Sequence, residues 1–462
     1  MRSKRVPNPG GLGRAGGAVL AASLVILSLA SWAAPAMAEP ASESASTPPS
    51  PSPSPSPSPS PPTAEQRIEA LEEQVEILAA ELSAARVAVA VPVDSEFDPV
   101  WGVGPSASKV YGEDSGLSIG GYGEIRFQQD ATKTNDDIFD ALRAVLYVGY
   151  KFSDKWLLNS EFEFEHAGGS DVYVEFLNLD YLHSEMLNFR VGLILIPMGF
   201  VNQLHEPTFY FGASRPEVEK TIIPSTWREN GAGFFGRLND RMTYQVYAVT
   251  SLDGRGFDAS GFRGGRQKGA KALANDWSFV FRTDIKAAPG LDLGASVYYG
   301  NQGQGKSVES LPVGSLATAI YELHAEYKRY GITARALFSQ AFVDNPDALN
   351  AGISAKGDND FLAEGLLGGY VEVAYDVLPL VFPETKMSLE PFFRYERLDT
   401  QSEMQSDVYA RTLKYDRHIY TAGLQYQPIP QVVFKLDYRW ITQESGGVSL
   451  ARQVQFGAGY VF

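Results

Sequence analysis

Cysteine is absent from the chain, which excludes disulfides, thiolate nucleophiles and zinc-thiolate sites even where export would permit disulfides. Rigidity must then come from backbone pairing. Histidine is scarce: His166, His183, His205, His324 and His418 form no His-x-x-x-His pair. Glu163 and His166 have Glu-x-x-His spacing, but along a strand the two point to opposite faces, and neither a metal site nor another cofactor is indicated. Basic residues are outnumbered, 39 Lys and Arg against 55 Asp and Glu, for a formal net charge of −16, which argues against a nucleic-acid partner. Beyond residue 38 no run approaches the roughly 20 apolar residues of a transmembrane helix. A membrane-spanning form of this chain could only be a β-barrel, the other structure that satisfies its own backbone hydrogen bonds in lipid.

What is present is ordered along the chain. Arg2, Lys4, Arg5 and Arg14 precede an apolar run over residues 18–34, and Ala36-Met37-Ala38 comes after it. This is the charge, apolar core and small-residue pattern of a secretory signal, residues 1–38, with cleavage after Ala38. An uncleaved anchor helix is the rival, but the run is short for a span and is interrupted by Ser23, Ser28 and Ser31. Cleavage removes four basic residues and no acid, taking the formal charge from −16 to −20. Residues 39–62 form a Ser/Pro-rich disordered spacer that cannot build a core. Over residues 63–90, Ile68, Leu71, Val75, Leu78, Leu82, Ala85 and Val89 fall on the a and d positions of a heptad repeat. Arg67 with Glu72, and Glu81 with Arg86, then sit at g and the following e, where opposite charges favour a parallel partner. The segment reads as a short coiled coil; an amphipathic helix lying on its own domain is the alternative. Residues 91–115 read as a linker, too short for a folded plug domain.

From residue 116 to 462 the period of apolar positions switches to two, with turn chemistry between the alternating stretches. The pattern gives sixteen strands, at about 117–128, 138–152, 155–165, 172–183, 188–196, 231–238, 241–250, 276–286, 291–299, 318–329, 331–340, 362–375, 386–397, 412–426, 431–442 and 451–462. The expected fold is an all-β transmembrane domain, a 16-stranded antiparallel β-barrel whose connections alternate between tight turns and long loops. The connection at residues 376–385 is long for the turn side, where Pro379 and Pro383 suggest a rigid cap, and that at 166–171 is short for the loop side. The 23 Tyr, 26 Phe and 6 Trp suit aromatic girdles at two interfaces. In the last strand Val454, Phe456, Ala458, Tyr460 and Phe462 share one face. Its ending on Phe resembles the signal by which Gram-negative outer-membrane barrels engage their assembly machinery.

Two matches to catalytic patterns lack their structural context. Residues 300–307 (GNQGQGKS) fit the phosphate-binding loop, yet that loop works only between a buried strand and a helix. Residues 116–120 (GLSIG) fit the nucleophile elbow, yet here they open an amphipathic strand with no helix following. A lipase-type triad built from distant residues is the enzyme alternative.

The longest connection, residues 197–230, is too long for a simple turn and reads as functional; its likeness in place to the third loop of sixteen-stranded porins implies that it folds inward and narrows the barrel. Its candidate constriction residues are Glu206, Arg215, Glu217, Glu219, Lys220 and Arg228. The stretches RVGLILIPMG (190–199), Glu206-Pro207, RPEVEK (215–220) and IIPSTWRENG (222–231) resemble porins related to the phosphate-selective porin O/P family, as does the coiled coil. The resemblance implies a homotrimeric, water-filled outer-membrane channel with a periplasmic coiled coil, contact with outer-membrane lipids and lipopolysaccharide, and anions among its solutes. The loop itself is slightly acidic, with Glu206, Glu217, Glu219 and Glu229 against Arg215, Lys220 and Arg228, whereas phosphate oxygens want several converging basic groups. Arg126, Arg143, Arg394, Arg417, Lys435 and Arg439 fall on inward faces of one sector. They are expected either to form a basic wall opposite the loop, setting a transverse field, or to pair with Glu124, Glu390, Glu396 and Asp437. Arg255, Arg263, Arg266, Lys268 and Lys271 in residues 251–275, set against Asp253 and Asp258, either gather anions at the mouth or belong to a solvated loop that contacts anionic lipopolysaccharide or nothing. The spacer and coiled coil also fit a tether between the outer membrane and peptidoglycan.

Overall fold

The computed structural model describes residues 74–75 and 99–462, apart from 134, 169–171 and 445–448. The signal, the spacer and most of the coiled coil lie outside the described residues; Gln74 and Val75, within the heptad segment, are helical. The chain divides into two units, Met1–Ala90 and Val91–Phe462, and the second carries the strands.

These are β1 (Gly116–Asp130), β2 (Ile138–Lys151), β3 (Trp156–Glu165), β4 (Val172–Leu182), β5 (Asn188–Leu195), β6 (Arg228–Asn239), β7 (Met242–Thr250), β8 (Trp277–Ala288), β9 (Leu291–Asn301), β10 (Ser307–Val308), β11 (Leu311–Pro312), β12 (Ala317–Arg329), β13 (Ile332–Val343), β14 (Gly365–Tyr375), β15 (Ser388–Glu403), β16 (Asp416–Ile429), β17 (Val432–Gln443) and β18 (Ser449–Val461). Setting aside the small hairpin β10–β11, sixteen strands pair with their sequence neighbours, and β18 closes antiparallel onto β1. Closure leaves no strand edge unpaired. All sixteen expected strands are present, with ends displaced by a few residues. The largest displacement that bears on the site is at β6, which begins at Arg228 and so takes that residue out of the loop and onto the wall.

The period of two sorts the side chains. Leu117 and Ile125 on β1, Leu146 and Tyr150 on β2, Leu436 and Trp440 on β17, and Phe456 and Tyr460 on β18 are exposed on the outer wall. Tyr122 and Glu124, on the other face of β1, are buried. Outward aromatics include Phe139 and Tyr150 near opposite ends of β2. The connection at 376–387 contains a single 3₁₀ turn, Leu378–Leu380, in keeping with its prolines. Another, His166–Gly168, follows directly on β3.

Three helices that the sequence pattern did not suggest accompany the strands among the described residues. One is α1 (Pro105–Gly112), in the stretch read as a linker. Its side chains meet positions 120 and 149, which face inward, and Asn159 Nδ2 donates to the Ala107 carbonyl at 2.9 Å. The helix therefore lies in the lumen at the end bearing the tight turns. A short α2 (Glu217–Thr221) lies in the inward loop, and α3 (Pro346–Ala355) in the loop after β13.

At the long-loop end the loops share one apolar core: Leu252, Phe257, Phe262, Leu316, Leu349 and Leu362 pack with Ile222, Ile223 and Trp227 of the inward loop. Burying a large apolar side chain is worth about 1.5–3 kcal/mol, so this cluster holds the inward loop from above. Among the described residues no helix is long and apolar enough to cross a membrane, which says nothing of strands.

Candidate constriction of the barrel lumen

The inward loop, residues 196–227, begins where the ladder must stop. Pro197 has no N–H to offer a neighbouring strand, and Gly199 takes a φ of 67°, open to glycine at little cost. Asn202 then ties the neck: its Nδ2 donates to the Ile196 and Trp227 carbonyls at 2.6 and 3.0 Å, and its Oδ1 accepts from Trp227 N–H at 2.8 Å. Entry and exit are thus pinned by one buried side chain.

Inside, the loop meets a series of charged side chains from the wall. Arg282 on β8 donates to the Gly199 carbonyl at 2.5 Å and Arg335 on β13 to the Phe209 carbonyl at 2.7 Å. Lys435 on β17 donates to the Tyr210 carbonyl at 2.6 Å. Arg394 on β15 donates to the Phe211 and Ser214 carbonyls at 3.0 and 3.1 Å. Acidic groups serve the loop's N–H groups in the same way: Asp437 accepts from Ala213 at 2.7 Å and Glu396 from Val218 at 3.1 Å. An irregular segment inside a barrel cannot complete a ladder, so long side chains satisfy its backbone instead.

The six basic residues of the expected wall all stand on inward faces, and four of them, Arg143, Arg394, Lys435 and Arg439, are engaged by acids or by the loop itself and do not face it across a gap. Arg143 lies 3.3 Å from Glu124 and 3.1 Å from Glu163. Arg394 sits 3.0 Å from Glu372 and 3.1 Å from Glu396, fully buried. Arg439 meets Glu217 of the loop at 3.2 Å. Lys435 stacks 3.7 Å above the Tyr210 ring. The loop therefore rests on this wall, because the wall supplies the donors it needs. Glu390 accepts instead from Gln425 on β16. Arg126, partly buried, makes no ion pair among the described residues, and Arg417 is likewise partly buried.

The expected loop residues separate into three groups. Arg228, on β6, pairs with Glu175 at 2.5 Å and is buried in the wall. Glu206 and Glu219 are buried. Burial, and after it the Glu161 carboxyl, pushes Glu206 up to about 8. Burial also pushes Glu219 up to about 7, against the pull of the Val201 N–H and the Tyr370 hydroxyl. Arg215, Glu217 and Lys220 reach less buried space; Lys220 is 49% exposed and pairs with Glu217 at 3.3 Å. Burial works against ionisation of Glu217, yet Arg439, then Lys220 and Arg417, hold its carboxyl down to about 2. Of the outer-loop basic residues, Arg263 and Arg266 donate to the Ser225 carbonyl at 2.6 and 2.8 Å, tying that loop to the constriction loop.

Several lumen groups were not singled out in the sequence. Glu161 meets His205 of the loop at 3.1 Å, while Asp284 and Glu322 bracket His324 at 2.9 and 2.6 Å. Their signal was the inward register itself, as in the alternating Glu161, Glu163 and Glu165 of β3. Residues 300–307 run from the end of β9 into β10 with no helix behind them.

No known family model matches the chain. An uncharacterized protein of Aquifex aeolicus (strain VF5) is 33% identical to it over 357 residues, 74% of this chain and 79% of that protein. Among solved structures, OmpF of Salmonella typhi in complex with daunomycin is similar at a TM-score of 0.49 and 13% identity, covering 76% of this chain and 98% of that one. The anion-selective porin from Comamonas acidovorans is similar at 0.49 and 10% identity, over 75% and 100% of the two chains. For the outer membrane channel DcaP of Acinetobacter baumannii the values are 0.47 and 13%, over 75% and 98%.

Proposed function

The chain belongs to the same family as the Aquifex aeolicus protein, and we propose that its barrel stands in an outer membrane as a porin, a passage for passive diffusion of small hydrophilic solutes and ions. The observation that carries this reading is the opposition of faces along the same strands. Leu146 and Tyr150 of β2 or Leu436 and Trp440 of β17 are exposed outward, while Arg143, Lys435 and Arg439 of those strands turn inward. In water so continuous an apolar exterior is a liability; in lipid it is the required wall, and a charged lumen is what hydrated solutes need. The inward loop then sets the narrowest section, as side chains lining a constriction do in selective channels.

Ion preference is set by the charges that remain accessible. The neutralised pairs Arg143–Glu124, Arg394–Glu396 and Lys220–Glu217 contribute little net field, whereas Arg126 and Arg417, which make no ion pair among the described residues, favour anions weakly. A phosphate-specific site is not part of the proposal, because the loop's Arg215 donates to the His205 carbonyl at 3.1 Å and its Arg228 partner is Glu175. Assembly as a homotrimer belongs to the same reading and is tested by native mass measurement in detergent. The channel itself is tested in planar bilayers under a salt gradient: discrete ohmic steps with a small reversal potential of anion sign support it, and a folded barrel without current contradicts it.

A further inference from the structure

The chain between residue 99 and β1 occupies the lumen, and a passive pore has no need of it. Its seat is built to fit. Val110 of α1 lies over Gly149 of β2, where an added Cβ would stand 2.7 Å from the Val110 Cβ. Ser106 packs over Gly120 of β1 in the same manner, and its Oγ accepts from the Gly121 N–H at 2.9 Å. Farther round the wall, Asp180 of β4 and Arg190 of β5 face each other across the ladder and share two hydrogen bonds of 2.9 and 2.8 Å. Asp180 accepts from the Tyr111 hydroxyl at 2.7 Å, and Arg190 donates to the Trp101 carbonyl at 3.2 Å. One buried ion pair of the wall thus grips the segment at both ends of its helix.

The same segment abuts the inward loop. A Cβ at Gly102 would fall 2.4 Å from Gln203 Nε2, and one at Gly104 would fall 2.3 Å from Glu206 Oε1. Gly102, at a φ of 77°, and Gly104 thus lie directly against the ends of the Gln203 and Glu206 side chains. A helix with side chains is about 10–12 Å across, a large share of the aqueous lumen that 16 to 18 strands enclose.

We propose that residues 99–112 form a plug that narrows the tight-turn mouth of the lumen and, together with the inward loop, limits what the barrel conducts. The plug rests on the porin reading, so its test separates the two. Single-channel conductance in planar bilayers is compared for the full chain, for the chain lacking residues 99–112, and for Gly149→Leu, which fills the place of Val110. Removal or displacement of the plug raises the conductance about twofold or more, given the share of the lumen that a helix fills. Unchanged conductance in a folded variant that still conducts overturns the plug while leaving the porin. No current from any of the three overturns the porin and the plug with it.

Discussion

Single side chains in the lumen divide into those that hold the loop and those that meet solute. Arg394 belongs to the first class: it is buried, faces Glu372 and Glu396, and donates to two loop carbonyls. Removing one partner of such a buried pair costs about 3–5 kcal/mol, and reversal to Glu adds a third carboxylate. Arg394→Glu is therefore expected to lose the folded, heat-modifiable band on a gel. Arg126 belongs to the second class, and Arg126→Glu keeps the folded band while its reversal potential moves toward cation preference; an unmoved potential removes Arg126 from the conduction path. Glu217 fastens the loop by charge. Its carboxyl is held down to about 2, against about 4.3 in an unfolded chain. The fastening it gives is complete above about pH 4.3 and is lost as pH falls toward 2. Glu217→Gln should abolish that part of the acid sensitivity, seen as a flatter dependence of protease resistance on pH over this window.

Among the elements, the inward loop depends on its neck and the wall on its pairing. Asn202→Leu forfeits three hydrogen bonds at the neck and strands the Trp227 N–H, at about 1–3 kcal/mol, while the Ile196 and Trp227 carbonyls keep the Met198 and Ile196 N–H groups. The barrel survives, held by its ladders, but the loop becomes open to proteolysis within residues 199–226; resistance equal to wild type would contradict the role of Asn202. In the wall, Gly192 has a φ of 139° and an added Cβ would lie 2.0 Å from the Leu177 carbonyl oxygen. Gly192→Val should break the pairing of β4 and β5 and lower the melting temperature. These elements were legible to different degrees. The strands could be read because Val432, Phe434 and Leu436 alternate with Val433, Lys435 and Asp437, a pattern that one lipid face and one lumen face impose directly. Helix α1 could not: its sequence, PSASKVYG, has neither an apolar stripe nor a side-chain cap, and it is fixed by Gly120, Gly149 and Arg190, far away in sequence. The inward residues of the basic sector could be named from strand register. Whom they contact could not, because the loop's path decides whether Lys435 faces solute or the Tyr210 carbonyl.

For the whole molecule, the balance is between a wall that lipid can cover and an interior crowded by a plug segment, a loop and an apolar cap of outer loops. The barrel has to remain closed and rigid without a disulfide, and its sixteen ladders supply that. On the porin reading, what passes through is set by the space left beside residues 99–112 and 196–227 rather than by the barrel's diameter. The most direct test is the single-channel conductance of the purified full-length protein in a planar bilayer under a salt gradient. Small, discrete, ohmic steps with a weak anion preference are the expected result. A correctly folded barrel that inserts and passes no ions, with or without residues 99–112, would contradict the account.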